Sequence, residues 1–149
     1  MDYCLYNSIK TPDGTVLHCK NSHDYQSHYD KVTGETYMID GLGYGTRSSI
    51  NIVEPQDLRV WTSSAFEVVR VTKFWASFGR DGTDEKKMMS LEEMEKSHIE
   101  AILRSQTQIK GTEIEKIFLK ELVYRIEVLR QELDEEIAPN KIKIKKLRL

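Results

Sequence analysis

Three of the four histidines in this chain fall within eleven residues, and they are the first side chains to consider for chemistry. His18, His23 and His28 lie together with Asp24 in a stretch whose composition is typical of β-strands. Imidazole is a common metal ligand and proton carrier near neutral pH. Zinc sites need three or four ligands at characteristic spacings, however, and this group matches none of them. We therefore expect no bound metal, with a metal-dependent hydrolase built on these four residues as the alternative.

An aromatic and basic segment between residues 70 and 80 is the second candidate. Alternate residues of a strand point to opposite faces, so each face of this segment would carry both a ring and a cation. Bases stack on aromatic rings, and Arg or Lys contacts phosphates, which is the chemistry of nucleotide binding. The competing interpretation buries the rings in the core and leaves the cations in solvent. The candidate binding residues here are Arg70, Lys73, Trp75, Phe78 and Arg80.

The composition is that of a soluble protein large enough for one compact domain. The 149 residues are 31% charged and 39% hydrophobic, and the net charge of −2 offers no basic field for a nucleic-acid polymer. The two cysteines form no CxxC motif and are too few for a disulfide framework. No signal peptide or apolar run of about 20 residues is present. We expect a cytoplasmic protein that does not span a membrane.

The first half of the chain predicts an antiparallel sheet over roughly residues 3–80. Two turn signals, Pro12-Asp13-Gly14 and Val32-Thr33-Gly34, each separate two runs of β character. The glycine-rich residues 41–45 precede strand-like sequence, so we expect a turn there and not a phosphate loop. Val68–Phe78 is the predicted central strand, after a short helix that begins near Ser64.

The last third of the chain predicts two helices, the second long and amphipathic. That helix begins at Thr112, and its apolar positions recur at steps of three and four, which keeps them on one face. These positions are Ile114, Phe118, Leu122, Ile126, Leu129 and Leu133. The stripe is longer than a small sheet covers, so we expect a homo-oligomer. Residues 1–130 then form a single α+β domain, and residues 131–149 form a charged extension, either an edge strand or a flexible tail.

Several short motifs, in their order along residues 11–125, give the chain a resemblance to a group of small bacteriophage proteins. The residues that carry the resemblance are Thr11-Pro12-Asp13-Gly14, His23-Asp24-Tyr25, Tyr37, Asp40-Gly41, Arg47, Phe74-Trp75, Gly79-Arg80-Asp81-Gly82, Ser97–Leu103 and Glu121–Arg125. With these motifs the chain is similar to the Thoeris anti-defence "sponge" proteins, which bind cyclic ADP-ribose signals or cyclic oligonucleotides without cleaving them.

This resemblance implies a phage counter-defence protein that sequesters a host nucleotide signal. Such a protein needs no catalytic residues and no cofactor, and its partner is a small nucleotide. Besides the residues of the aromatic and basic segment, we expect His23, Tyr25 and Arg47 to contribute to binding. The alternatives are the hydrolase built on the histidine group and an inhibitor that binds a host defence protein through its exposed helix.

Overall fold

The computed structural model describes residues 2–147, with side chains to residue 139, and it contains antiparallel sheets and three helices. The chain divides into two compact units, residues 1–94 and residues 95–149, called here the first and second unit. This is an α+β protein, as the sequence predicts. The single sheet predicted over residues 3–80 is replaced by three smaller sheets, because the chain leaves the sheet at several loops and at a helix.

All the strands and one helix belong to the first unit, and the other helices belong to the second. In chain order the elements of the first unit are β1 (Cys4–Lys10), β2 (Val16–Cys19), β3 (Tyr25–Asp30), β4 (Glu35–Asp40), β5 (Arg47–Ser48), β6 (Gln56–Asp57), β7 (Val60–Trp61), α1 (Phe66–Thr72), β8 (Phe74–Ser77) and β9 (Lys87–Ser90). The second unit contains α2 (Lys96–Ser105), a 3₁₀ turn (Thr107–Ile109) and α3 (Glu113–Leu147).

The hairpin of β1 and β2 supplies five of the eleven buried apolar residues described in the first unit. The predicted turn forms between these strands, with Gly14 at φ +89°, a conformation that glycine adopts without steric cost. Ile9, Leu17 and Cys19 are buried and belong to one apolar cluster with Tyr37 and Ile39 of β4. Strands β6 and β7 pair with the other edge of β1.

The sheet of β3, β4 and β5 turns its polar face inward. Gln26 and His28 lie opposite Ile39 and Tyr37 of β4, whereas the aromatic face that carries Tyr25 is exposed. Buried polar groups must find partners, and they do so here. Gln26 Oε1, for example, accepts a hydrogen bond of 2.8 Å from the backbone N–H of His18. The glycine-rich residues 41–45 lead from β4 toward β5 and open no helix, as predicted.

The prediction of a central strand over Val68–Phe78 is wrong. Residues Phe66–Thr72 form α1, and only Phe74–Ser77 form a strand, which pairs with β9. Periodicity over so short an apolar segment cannot separate a helix from a strand. Acidic and basic residues in the first and last turns, Glu67 and Arg70, favour the helix through its dipole.

The second unit is built around α3. Thr112 Oγ1 accepts a hydrogen bond from the N–H of Glu115 at 3.5 Å, which confirms the predicted start of the helix. The helix continues through Pro139 to Leu147, so residues 131–147 form neither an edge strand nor a tail. The Lys and Leu residues of this segment have high helix propensity, which favours continuation of the helix. None of the helices in the described part of the chain combines the length and the apolar character needed to cross a membrane.

Candidate functional site

Strand β8 carries two consecutive aromatic residues, and a lysine ammonium lies against each ring. Lys20 Nζ is 4.4 Å from the centroid of the Phe74 ring, and Lys73 Nζ is 5.7 Å from the centroid of the Trp75 ring. Both distances are within the roughly 6 Å at which a cation–π attraction is effective. Neighbouring residues of a strand point to opposite faces, so the two pairs lie on opposite sides of β8.

The first pair is part of a larger group of half-buried side chains, which we call the aromatic–lysine cluster and define as Tyr6, His18, Lys20 and Phe74. Because Ser8 lies opposite His18 in the hairpin, Tyr6, His18 and Lys20 share its outer face. The Tyr6 ring stacks on the His18 ring at 6.0 Å between centroids and 24° between planes. It lies 6.1 Å from the Phe74 ring. Three rings therefore lie together, with an ammonium over the face of the Phe74 ring.

A carboxylate in the turn after β2 fixes the backbone from which Lys20 projects. Asp24 Oδ2 accepts hydrogen bonds from the backbone N–H groups of Lys20 at 2.7 Å and Asn21 at 3.3 Å. Asp24 Oδ1 accepts a third bond, from the side-chain amide of Asn21 at 3.0 Å. An Asp that closes its own turn in this way is a common stabilising device. It holds the start of the Lys20 side chain in place beside Phe74.

In the second pair only Lys73 is buried. Its exposed fraction is 7%, whereas Trp75 is half-buried. The backbone of Lys73 is anchored on both sides, since its N–H donates to Val69 O and its carbonyl accepts from Leu91 N–H, each at 2.8 Å. Among the described residues, no charged group offsets the desolvation of its ammonium. Burial without a counter-charge lowers the pKa of Lys73 to about 8.

Two further predicted residues, Tyr25 and Arg47, line up across the sheet of β3, β4 and β5. Tyr25 lies opposite Asp40, and Asp40 lies opposite Arg47, so the three side chains occupy one row. Arg47 Nη2 is 3.0 Å from Asp40 Oδ2, and this carboxylate offsets part of its charge. His23 lies two residues before Tyr25 in an exposed turn, where its N–H donates to a neighbouring side chain.

The remaining predicted residues, Arg70, Phe78 and Arg80, lie outside the strand β8. Arg70 lies in α1, where its Nη1 is 3.2 Å from Glu92 Oε1. Phe78 and Arg80 follow the end of β8 in an exposed loop. The predicted alternation does not extend to Arg70 or Phe78, because Arg70 belongs to α1 and only Phe74–Ser77 form the strand. Of the predicted binding residues, the structure pairs Lys73 with Trp75 and aligns Tyr25 with Arg47.

Three of the four residues of the alternative metal site serve separate structural roles. His18 stacks on Tyr6, and Asp24 closes the turn after β2. His28 Nε2 lies 2.6 Å from Asp13 Oδ2, and this contact holds the pKa of Asp13 well below its ordinary value. Among the described residues, no three His, Cys, Asp or Glu side chains come together as a possible metal site.

Sequence reasoning missed three members of the aromatic–lysine cluster as binding candidates: Tyr6, Lys20 and Phe74. A signal for the first two was present in the hairpin. The turn at Pro12-Asp13-Gly14 sets the register of β1 and β2, and period-two alternation then places both residues on one face. The sequence carries no comparable signal that Phe74 of β8 contacts the hairpin, because Phe74 is far from Tyr6 and Lys20 in the chain.

Comparisons with known protein families, curated proteins and solved structures return no match for this chain.

Proposed function

We propose that the protein binds a small anionic nucleotide and holds it without cleaving it. The observation that carries this proposal is the pair of lysine–aromatic contacts on either side of β8, at Phe74 and at Trp75. A ring offers a stacking surface to a base, and an ammonium beside it offers charge to a phosphate. The Lys73 side chain supports the same proposal, because a phosphate would supply the counter-charge that the described residues do not.

The chemistry of the two cysteines favours binding over covalent catalysis. Cys4 and Cys19 are both buried thiols. Burial raises the pKa of Cys19 to about 11 and also raises the pKa of Cys4, so neither is a thiolate near neutral pH. A protein that sequesters its ligand needs affinity and no nucleophile.

The resemblance to phage sponge proteins supplies the class of ligand. On that basis we propose a cyclic nucleotide or a cyclic ADP-ribose type of immune signal, bound in the cytosol of an infected bacterium. The protein would then act in counter-defence by lowering the free concentration of the signal.

Calorimetry against a panel of cyclic nucleotides and cyclic ADP-ribose isomers tests the proposal. We expect at least one member to bind, and chromatography after heat denaturation should recover that ligand unchanged. If no member of the panel binds, or if a cleaved product is recovered, the proposal fails.

Variants on the two faces of β8 locate the binding surface. Loss of a stacked ring typically costs about 1–3 kcal/mol, so Phe74→Ala or Trp75→Ala should weaken binding roughly fivefold to a hundredfold. Tyr29→Ala is the matched control, since Tyr29 is an exposed ring on a different sheet. Equal losses in all three variants would contradict a site at β8. Arg47→Ala should have a smaller effect, because Asp40 already pairs with that guanidinium.

The alternative of a metal-dependent hydrolase has a direct test. Elemental analysis of protein purified without chelators should find no stoichiometric zinc or manganese. One equivalent of metal per chain, absent from a His23→Ala variant, would instead favour the hydrolase. Bound metal together with turnover of the ligand would replace sequestration as the function.

A further inference from the structure

Helix α3 exposes a continuous row of large apolar side chains along one side. Each of these residues is between 44% and 66% exposed, and five of them repeat with heptad spacing. The five are Leu119, Val123, Ile126, Leu133 and Ile137, and we call them, with Arg130 at the remaining position of the repeat, the α3 seam. A sixth exposed residue, Leu129, flanks the seam.

The seam differs from the stripe that the sequence predicts. Of that stripe, Phe118 is buried and Leu122 is half-buried, so the second unit already uses the first part of it. The apolar residues left uncovered lie on an adjacent side, displaced by one position at Leu119 and Val123. From Leu129 to residue 139 every described side chain is exposed. Exposed rows of this kind on a soluble protein mark interaction surfaces.

We infer that the α3 seam binds the same seam of a second copy of this chain, with the two helices antiparallel and centred on Val128. In this arrangement Leu119 meets the partner's Ile137, and Val123 meets the partner's Leu133. The pairing is isologous, so each contact occurs twice and every exposed apolar residue of the seam is covered.

Arg130 and its neighbours favour the antiparallel orientation. There, Arg130 packs its stem on the partner's Ile126 and reaches the partner's Glu127, so each seam cation gains an acidic partner. Leu129 meets the partner's Leu129 close to the symmetry axis. In a parallel pair in register, Arg130 would face its own copy, and Leu129 would lie beside the partner's Asp134. The contact of Arg130 with the partner's Glu127 and the contact between the two Leu129 side chains therefore both favour the antiparallel pair.

Cysteine cross-linking tests both the contact and its orientation. Leu119→Cys and Ile137→Cys proteins, mixed and treated with a short thiol cross-linker, should give a covalent dimer, whereas neither variant should cross-link alone. In the antiparallel pair two Leu119→Cys positions are about 27 Å apart, from 1.5 Å of rise per residue. Cross-linking of either variant with itself would overturn the orientation. The natural cysteines are buried and should not interfere.

Light scattering and a charge exchange complete the test. The full chain should be a dimer at tens of micromolar, and Ile126→Asp should make it a monomer, while the matched control Gln131→Asp, off the seam, should remain dimeric. Arg130→Glu should weaken the dimer at least tenfold, and adding Glu127→Arg should restore it, a rescue that a folding defect would not give. A monomeric parent chain, or an Arg130→Glu variant as dimeric as the parent, would overturn the inference and leave the seam to a different protein.

Discussion

Replacing Lys73 with Met should stabilise the first unit near neutral pH. The side chain is 7% exposed, and its ammonium has no counter-charge within the described residues. Methionine keeps an unbranched stem of similar length and removes the charge. The variant therefore isolates the free-energy cost of burying this ammonium.

The lowered pKa gives both the size and the pH range of the effect. The pKa of Lys73 falls from 10.5 to about 8, and each unit corresponds to about 1.4 kcal/mol, so the cost is of order 3 kcal/mol. Below pH 8 the lysine is protonated in both the folded and the unfolded state, and the folded state bears the full cost. Between pH 8 and 10.5 the unfolded state binds more protons, so the parent protein gains stability as the pH rises. Above pH 10.5 the cost is gone.

Urea unfolding followed by tryptophan fluorescence measures the difference directly. Trp61 and Trp75 are the only tryptophans, and both belong to the first unit, so the signal reports on that unit alone. The advantage of Lys73→Met should be of order 3 kcal/mol at pH 7, smaller at pH 9 and close to zero at pH 10.5. Lys31→Met is the matched control, because Lys31 is exposed, and it should show no such trend.

Two results would refute this reasoning. If Lys73→Met destabilised the protein at pH 7, the ammonium would have a favourable partner in solution. If its advantage persisted unchanged to pH 10.5, it would come from packing and not from charge. Added inorganic phosphate provides a further check. If Lys73 binds an anion, phosphate should stabilise the parent protein and leave the variant unaffected.

Other predictions concern the turns and the core of the first unit. Asp24→Ala removes the acceptor for the N–H of Lys20 and should lower the free energy of unfolding by about 1–3 kcal/mol, while Asp24→Asn should recover part of the loss, as urea titration can show. His28→Ala should raise the pKa of Asp13, measured by NMR titration of its carboxyl; an unchanged titration would contradict the contact. The stabilising contact is present above the ordinary pKa of Asp13 and is lost as the pH falls, so the variant should be less sensitive to acid. Tyr37→Phe should cost about 1 kcal/mol, because the buried hydroxyl donates a 2.6 Å hydrogen bond to a backbone carbonyl, and a neutral substitution would argue against that bond.

The local structure of the first 40 residues could be predicted from the sequence. Both hairpins follow from turn signals in which glycine supplies a positive φ, at Gly14 and Gly34. The start of α3 follows from a side-chain cap at Thr112, which also acts locally. These features depend on residues a few positions apart, so a single sequence contains the information that determines them.

The arrangement of the sheets could not be predicted, because it depends on contacts between distant residues. The polar face of β3 turns inward because Gln26 finds a partner on β2 and His28 finds one in the turn before β2, and polarity alone would have placed that face in solvent. The segment before Trp75 becomes a helix although its β-branched residues suit a strand. In both places tertiary hydrogen bonds and packing outweigh local preference.

The candidate site likewise combines a local pairing that the sequence predicts with contacts between distant residues that it does not predict. Lys73 and Trp75, two residues apart, share a face of the chain as the alternation predicts, and the structure pairs them. Phe74 is adjacent in sequence, yet its partners Tyr6 and Lys20 come from the other end of the first unit. No spacing rule connects positions more than 50 residues apart in the chain, so only the fold could bring the aromatic–lysine cluster together.

The buried lysine links the stability of the first unit to the proposed binding function. Within the described residues no counter-charge offsets the desolvation of the Lys73 ammonium, and an apolar residue of similar size would avoid that cost. Residues that lower the stability of the folded state are expected at functional sites, where their contribution to ligand binding offsets the lost stability. Under the proposed function, Lys73 is such a residue, and it lies against a ring on which a base could stack. A phosphate-bearing ligand would therefore gain from the same desolvated charge that weakens the free protein, which ties the effect of Lys73→Met on folding to its effect on binding.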